Sequence, residues 1–230
     1  MPKTSKLDLL VSSLVLAGWA VAAAATPAAA APAAVDRAQA ESQQLNAIFD
    51  EYFEEYLKQN PILATSIGDP RYNDRFVVSI SPAAIAAEEK LQRDYLARVQ
   101  TVDRSVLTGQ DLLSYDVFKT ARERAIEGFR FPDELLPMNQ FYSTPNSFAQ
   151  LGSGNGMQPF KTVQDYDNFL QRIDGFAAWT DQAIVNMREG TKRGYTLPKI
   201  LAERTLPQLQ AHIVPRAEDS LYWGPITKMP

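Results

Sequence analysis

The sequence predicts an all-α protein, an irregular array of five or six helices broken by one long loop rich in aromatics, glycine and proline. Three observations predict it. Apolar residues recur at intervals of three and four along most of the chain, the period that lines one face of a helix. Proline and glycine stand at the ends of those runs, where helices start and stop. No apolar–polar alternation reaches convincing strand length, Val77-Val78-Ser79-Ile80 being the best short candidate.

The first helix is expected over Asp36–Gln59. Leu45, Ile48, Phe49, Tyr52, Phe53, Tyr56 and Leu57 put a wide aromatic stripe on one face, and Asp50, Glu51, Glu54, Glu55 and Lys58 occupy the other. The stripe reads as core packing, with a ligand groove as the rival. Asn60-Pro61 ends the helix, because proline pushes the preceding residue out of helical geometry. A loop follows through Gly68-Asp69-Pro70-Arg71-Tyr72-Asn73-Asp74. Ser81-Pro82 has the form of a cap followed by proline in the first turn, so a second helix runs from there to about Val102 on Ile85, Leu91, Tyr95, Leu96 and Val99. A third starts near Thr108 or Gln110 and reaches Glu127, burying Leu112, Tyr115, Phe118, Ile126 and Phe129, with Gly128 as its stop.

Residues 130–161 carry four prolines, three glycines and the aromatics Phe131, Phe141, Tyr142 and Phe148, and read as a long loop holding one short helix. Thr162-Val163-Gln164-Asp165 resembles a helix-start cap with Asp in the usual Glu position. Tyr166, Phe169, Leu170 and Ile173 follow it at helical spacing. Gly175 then separates this helix from one carrying Phe176, Trp179, Ala183, Ile184 and Met187, which Gly190 stops. Gly194-Tyr195-Thr196-Leu197-Pro198 opens a last helix reaching Gln210.

The start of the chain has the pattern of a secretory leader: Lys3 and Lys6, an apolar run from Leu9 to Ala25, and small-x-small sites such as Ala23-Ala24-Ala25. Residues 1–25 are expected to be a signal peptide, 26–35 an Ala/Pro linker and 36–230 the helical body, giving an exported, periplasmic or secreted product. The rival is a membrane anchor, but a run of 17 residues diluted by Ser12, Ser13 and many alanines is at the lower edge of spanning length. No membrane association is expected once the leader is removed.

Composition narrows the function classes. Apolar residues make up 45% and charged residues 22%, enough for a packed core in the roughly 200 residues left after cleavage. The leader carries a net +1, leaving the rest near −5, with no basic face for nucleic acid. Arg93, Arg98, Arg122 and Arg124 alternate with acids and read as a solvated face. Zero cysteines exclude disulfides, thiol catalysis and cysteine-bound zinc, and the single His212 excludes a site needing two histidines.

The motifs that remain are incomplete. Gly152-x-Gly154-x-Gly156 lacks the Lys-Ser/Thr of a phosphate loop and reads as a plain flexible turn. His212 has no Gly-x-Ser-x-Gly elbow to serve and reads as a surface or helix-end residue. Glu54-Glu55, Glu88-Glu89 and Asp133-Glu134 are sequence neighbours that point to different helix faces, so solvated surface is preferred to a catalytic pair. No catalytic, cofactor-binding or metal-ligating residue is assigned.

The chain nevertheless resembles the N-terminal half of the bacterial domain-of-unknown-function 885 family. The resemblance rests on Phe49-x-x-x-Phe53, Asn60-Pro61 with Ala64-Thr65, and Gly68-Asp69-x-Arg71-Tyr72-Asn73-Asp74. It continues through Phe160-x-Thr162, Asp165-Tyr166, Asp181-Gln182 and Met187-Arg188-Glu189-Gly190. It closes with Gly194-Tyr195-Thr196-x-Pro198, Leu221-Tyr222 and Met229-Pro230. Pro70 stands where histidine is common in the family. The resemblance implies a longer, mostly helical, exported zinc-metallopeptidase-like hydrolase, of which this chain is a part that is inactive alone. Zinc is implied for the full-length family, in a His-Glu-x-x-Pro-Gly-His stretch with no counterpart among these residues. The chain's ending, apolar with Pro225 and Pro230, is read in that light as a truncation. A peptide substrate of the intact protein is the implied partner. Asp69, Arg71, Tyr72 and Tyr142 are the candidate cleft-lining residues, because they lie in polar and aromatic loops outside the helices. The alternative is a free-standing periplasmic helical binding module. Oligomeric state and substrate identity are not encoded in any motif.

Overall fold

The computed structural model of the protein describes residues 32–229. The leader and the first part of the linker lie outside the described residues. Eight helices and no strand occur among the described residues, so the fold is all-α. They are α1 (Pro32–Gln59), α2 (Pro61–Ser66), α3 (Pro82–Val99), α4 (Gly109–Gly128), α5 (Thr144–Leu151), α6 (Val163–Arg193), α7 (Lys199–Gln210) and α8 (Trp223–Ile226). Val77–Ile80 is loop rather than strand, tied down by turns such as Ser81 N–H to Val78 O.

The α1 helix starts four residues before the expected Asp36. Pro32 suits a first turn, and Ala33 and Ala34 are strong helix formers. Asn60-Pro61 ends α1 as expected, but the same proline then sits in the first turn of the unexpected α2. Ser81 caps α3 by accepting from the Ala84 N–H at 3.2 Å.

Two aromatic cores hold these helices. In the first, Leu45, Ile48 and Tyr52 of α1 pack against Leu91, Tyr95 and Val99 of α3 and Tyr115 of α4. The Tyr52 ring meets Tyr95 and Phe118 edge-on at 5.2 and 5.1 Å. The stripe is narrower than expected, since Phe53 is exposed. Arg122 corrects the solvated-face reading. Its guanidinium lies 4.1 Å over Tyr52 and 4.7 Å over Phe118, and its Nε is buried without a partner. Arg93 and Arg98 do pair outward, with Glu89 and Glu51.

In the second core, Phe148 of α5 stacks on Phe176 of α6 at 4.2 Å and on Phe169 at 5.4 Å, with Phe76 and Tyr222 against them. Each ring buried here contributes roughly 1.5–3 kcal/mol through its apolar area. Stacked pairs add about 0.5–1.5 kcal/mol.

Helix α6 departs most from the sequence reading. It is a single helix of 31 residues, not two. The capping box at Thr162 forms as expected, Asp165 N–H donating to Thr162 Oγ1 and Thr162 N–H to Asp165 Oδ2. Gly175 and Gly190 do not break the helix; they thin it. A Cβ at Gly175 would lie 2.6 Å from the Phe76 carbonyl oxygen, and one at Gly190 would lie 3.0 Å from that of Leu135. The real stop is Gly194, whose φ of 77° lets Tyr195 N–H reach back to Gly190 O at 2.8 Å.

Candidate binding grooves

A buried arginine positions the walls of the site. Arg172 of α6 is 0% exposed and has no carboxylate partner. Its guanidinium donates to Thr65 Oγ1 at 2.6 Å, Tyr72 O at 3.0 Å, Arg75 O at 3.1 Å, Pro61 O at 3.4 Å and Gln158 Oε1. One side chain thus fixes α2, the loop after it and the Gly-rich loop against α6. Burial pushes its pKa down to about 10, with Asp74 acting in the opposite direction, so the group stays charged at neutral pH.

Beside this hub lies a groove of about 810 Å³ between α2, the Phe76–Ser79 loop, α5 and residues 155–157. Phe76, Phe148 and Trp179 form its apolar wall, and Asn60, Asn146, Gln150 and Asn155 add amides. Not one of its lining residues is charged. Asn146 is oriented by a relay. Gln208 Nε2 donates to Gln140 O, Asn146 Nδ2 donates to Gln208 Oε1, and His212 Nε2 lies 2.7 Å from Asn146 Oδ1. Since that oxygen accepts, His212 Nε2 carries the proton. His212 is therefore a half-buried residue just past the end of α7 that orients an amide.

A second groove of about 810 Å³ lies on the other side of the same loop, between α3, the end of α4 and residues 129–137. Ser79 lines both grooves. Glu88, Phe129, Phe131, Arg193 and Tyr195 line the second. Glu88 is half-buried, and burial alone raises its carboxyl pKa. Its neighbour Glu89 pairs outward with Arg93 at 2.6 Å. The solvated-surface reading thus fits Glu89 and not Glu88. Asp133 and Glu134 occupy a short 3-10 turn on the same rim.

The four residues singled out in the sequence differ in burial and in partners. Asp69 caps the 3-10 turn at Pro70–Tyr72 by accepting from Arg71 N–H at 3.0 Å. Arg71 bonds Asp69 and, through both terminal nitrogens, Glu54 on α1 at 2.7 and 3.1 Å. Those bonds hold the Glu54 and Asp69 carboxyls below their ordinary pKa and raise that of Arg71. Tyr72 is buried with Leu57 and Ala64. Tyr142 is 78% exposed, turned outward by an Asx turn in which Asn139 Oδ1 accepts from the N–H groups of Phe141 and Tyr142. None of the four lines either groove, although Tyr142 precedes groove-lining Thr144 by two residues.

The Gly152–Gly156 loop comes close to its neighbours at two of its glycines. A Cβ at Gly152 would lie 2.2 Å from the Phe169 ring, and one at Gly156 would lie 2.4 Å from Gln150 O. Among the described residues no group of three or more His, Asp or Glu side chains is arranged to hold a metal ion. No described helix is long and apolar enough to cross a membrane.

A family model described as a bacterial protein of unknown function (DUF885) matches residues 61–230. No curated protein and no solved structure matches the chain.

Proposed function

The chain belongs to the bacterial DUF885 family of unknown function, and from that premise we propose that it is the substrate-cradling helical portion of an exported zinc-peptidase-like hydrolase. The metal-binding half of such a hydrolase is absent from these residues, so the chain turns over no peptide alone. The observation that carries the reading is the uncharged groove beside Arg172. It has the volume of a ligand site, aromatic walls and several rim amides, and it holds no acid, base or nucleophile cluster. An extended peptide presents unpaired N–H and C=O groups along its length, which Asn146, Gln150 and Asn155 suit, and apolar side chains, which Phe76, Phe148 and Trp179 suit.

The test is fluorescence anisotropy with dye-labelled peptides blocked at both ends and carrying phenylalanine. Ser147 is exposed on α5 and lines the groove. Ser147→Trp fills the groove without touching the core and should weaken binding at least about tenfold with an unchanged melting curve. Equal affinity in the variant, or no binding by the parent protein, overturns the reading. Tyr142→Ala should weaken binding less, because Tyr142 stands beyond the rim.

A second reading, a free-standing periplasmic binding module, is favoured by the closure of both aromatic cores among the described residues. It predicts a single cooperative melt of a soluble monomer or defined oligomer. Strong dye binding by the native protein, at exposed apolar residues such as Leu170 and Met229, counts against it.

A further inference from the structure

The second groove contains a half-buried carboxylate without a counter-ion. Glu88 lies on α3 between Ile85 and Leu91, on the side that packs inward. The arginines that line the groove, and Arg93 and Arg122 of the adjoining helices, have other engagements. Arg130 pairs with Glu127, Arg93 with Glu89, Arg122 lies over Tyr52 and Phe118, and Arg193 sits 5.8 Å from the Tyr195 ring. A carboxylate removed from water without a partner destabilises the site that holds it, and an incoming cation reverses that penalty. Phe129, Phe131 and Tyr195 line the same groove, and aromatic faces attract cations. Asp133 and Glu134 on the rim add negative charge.

We propose that the second groove is a subsite for an alkylammonium group, a lysine side chain or amino terminus, on the same extended peptide whose apolar residues occupy the first groove. The inference rests on the peptide reading above. Ser79, shared by both grooves, is where the chain would pass from one to the other. The two subsites differ in charge: the first has no charged lining residue, and the second sets Glu88, Asp133 and Glu134 against Arg130 and Arg193, a net negative lining. Desolvation already raises the Glu88 pKa, the direction expected of a carboxyl lacking a cation.

The experiment measures affinities of the full chain for three peptides by fluorescence anisotropy. One is blocked at both ends and carries lysine beyond the apolar segment, the second has norleucine in its place, and the third is the norleucine peptide with a free amino terminus. The lysine peptide or the free-terminus peptide, or both, should bind about tenfold more tightly than the blocked norleucine peptide, and the arm that gains names the source of the amine. Glu88→Gln should abolish the gain while leaving the blocked norleucine peptide's affinity unchanged and without lowering the melting temperature, since it removes an unpaired buried charge. The gain should also shrink as salt rises. Charge-blind binding by the parent protein, or a gain that survives Glu88→Gln, overturns the amine subsite and leaves the peptide reading standing. If none of the three binds, both fall.

Discussion

Replacing Arg172 with leucine is expected to lower stability by about 3–5 kcal/mol, because buried acceptors left without donors cost about 1–3 kcal/mol each. The loss is specific. Thr65 Oγ1 still has Asn73 Oδ1 or Pro61 O to take its one proton. Arg75 O and Gln158 Oε1 lose the donor that Arg172 supplied. Gln158 then has neither end satisfied, since its Nε2 is already buried without a partner. For a domain of this size the melting temperature should fall by roughly 10 °C, read by circular dichroism. Lysine should not rescue it, since one ammonium cannot reproduce a planar fork reaching five acceptors. A shift of less than about 2 °C would show that the hub carries no net stability.

The second large effect has a sign opposite to the one local propensity gives. Alanine at a glycine inside a helix normally stabilises by up to about 1 kcal/mol. Gly175→Ala is expected instead to destabilise by about 1–3 kcal/mol, as overpacking does. The added Cβ meets the Phe76 carbonyl oxygen at 2.6 Å, and a backbone atom cannot rotate away as a side chain can. The Phe76 loop must move, and Phe76 walls the first groove, so peptide affinity should fall along with the melting temperature. A raised melting temperature would place the loop farther from α6 than described.

The helical class, the caps at Ser81 and Thr162 and most of the first core were legible because each depends on local periodicity or a short turn. The grooves were less so. Glu88, Arg122 and Arg172 share a signature: each is a charged residue inside an apolar stripe. Glu88 continues the register of Ile85, Gln92 and Tyr95, Arg122 that of Tyr115 and Phe118, and Arg172 that of Phe169, Phe176 and Trp179. Their spacing places all three on inward faces, where an ionised side chain is rare without a partner, yet charge alone reads Arg122 and Glu88 as solvated surface and gives no signal at Arg172. Which partner each would find was not legible, because the acceptors of Arg172 lie on loops whose approach is a tertiary fact. The glycines of α6 were misread for a related reason. A thin helix and a broken helix require the same residue, and only the neighbouring backbone tells them apart. The burial of Tyr72 and the exposure of Tyr142 were likewise invisible to composition.

The Arg172 hub also bears on the order in which the molecule assembles. Its bonds to residues of the Pro61–Arg75 segment join positions 97 to 111 apart in the chain, whereas the first core forms between helices that follow one another closely. Closing so long a loop adds little to the equilibrium cost, since each doubling of length adds only about 0.6 kcal/mol. Contacts that distant are made late, after the local bundle of α1, α3 and α4 has gathered. An interaction absent from the folding transition state acts almost wholly on the rate of unfolding. Loss of Arg172 should therefore leave the speed of folding nearly untouched and shorten the lifetime of the native state.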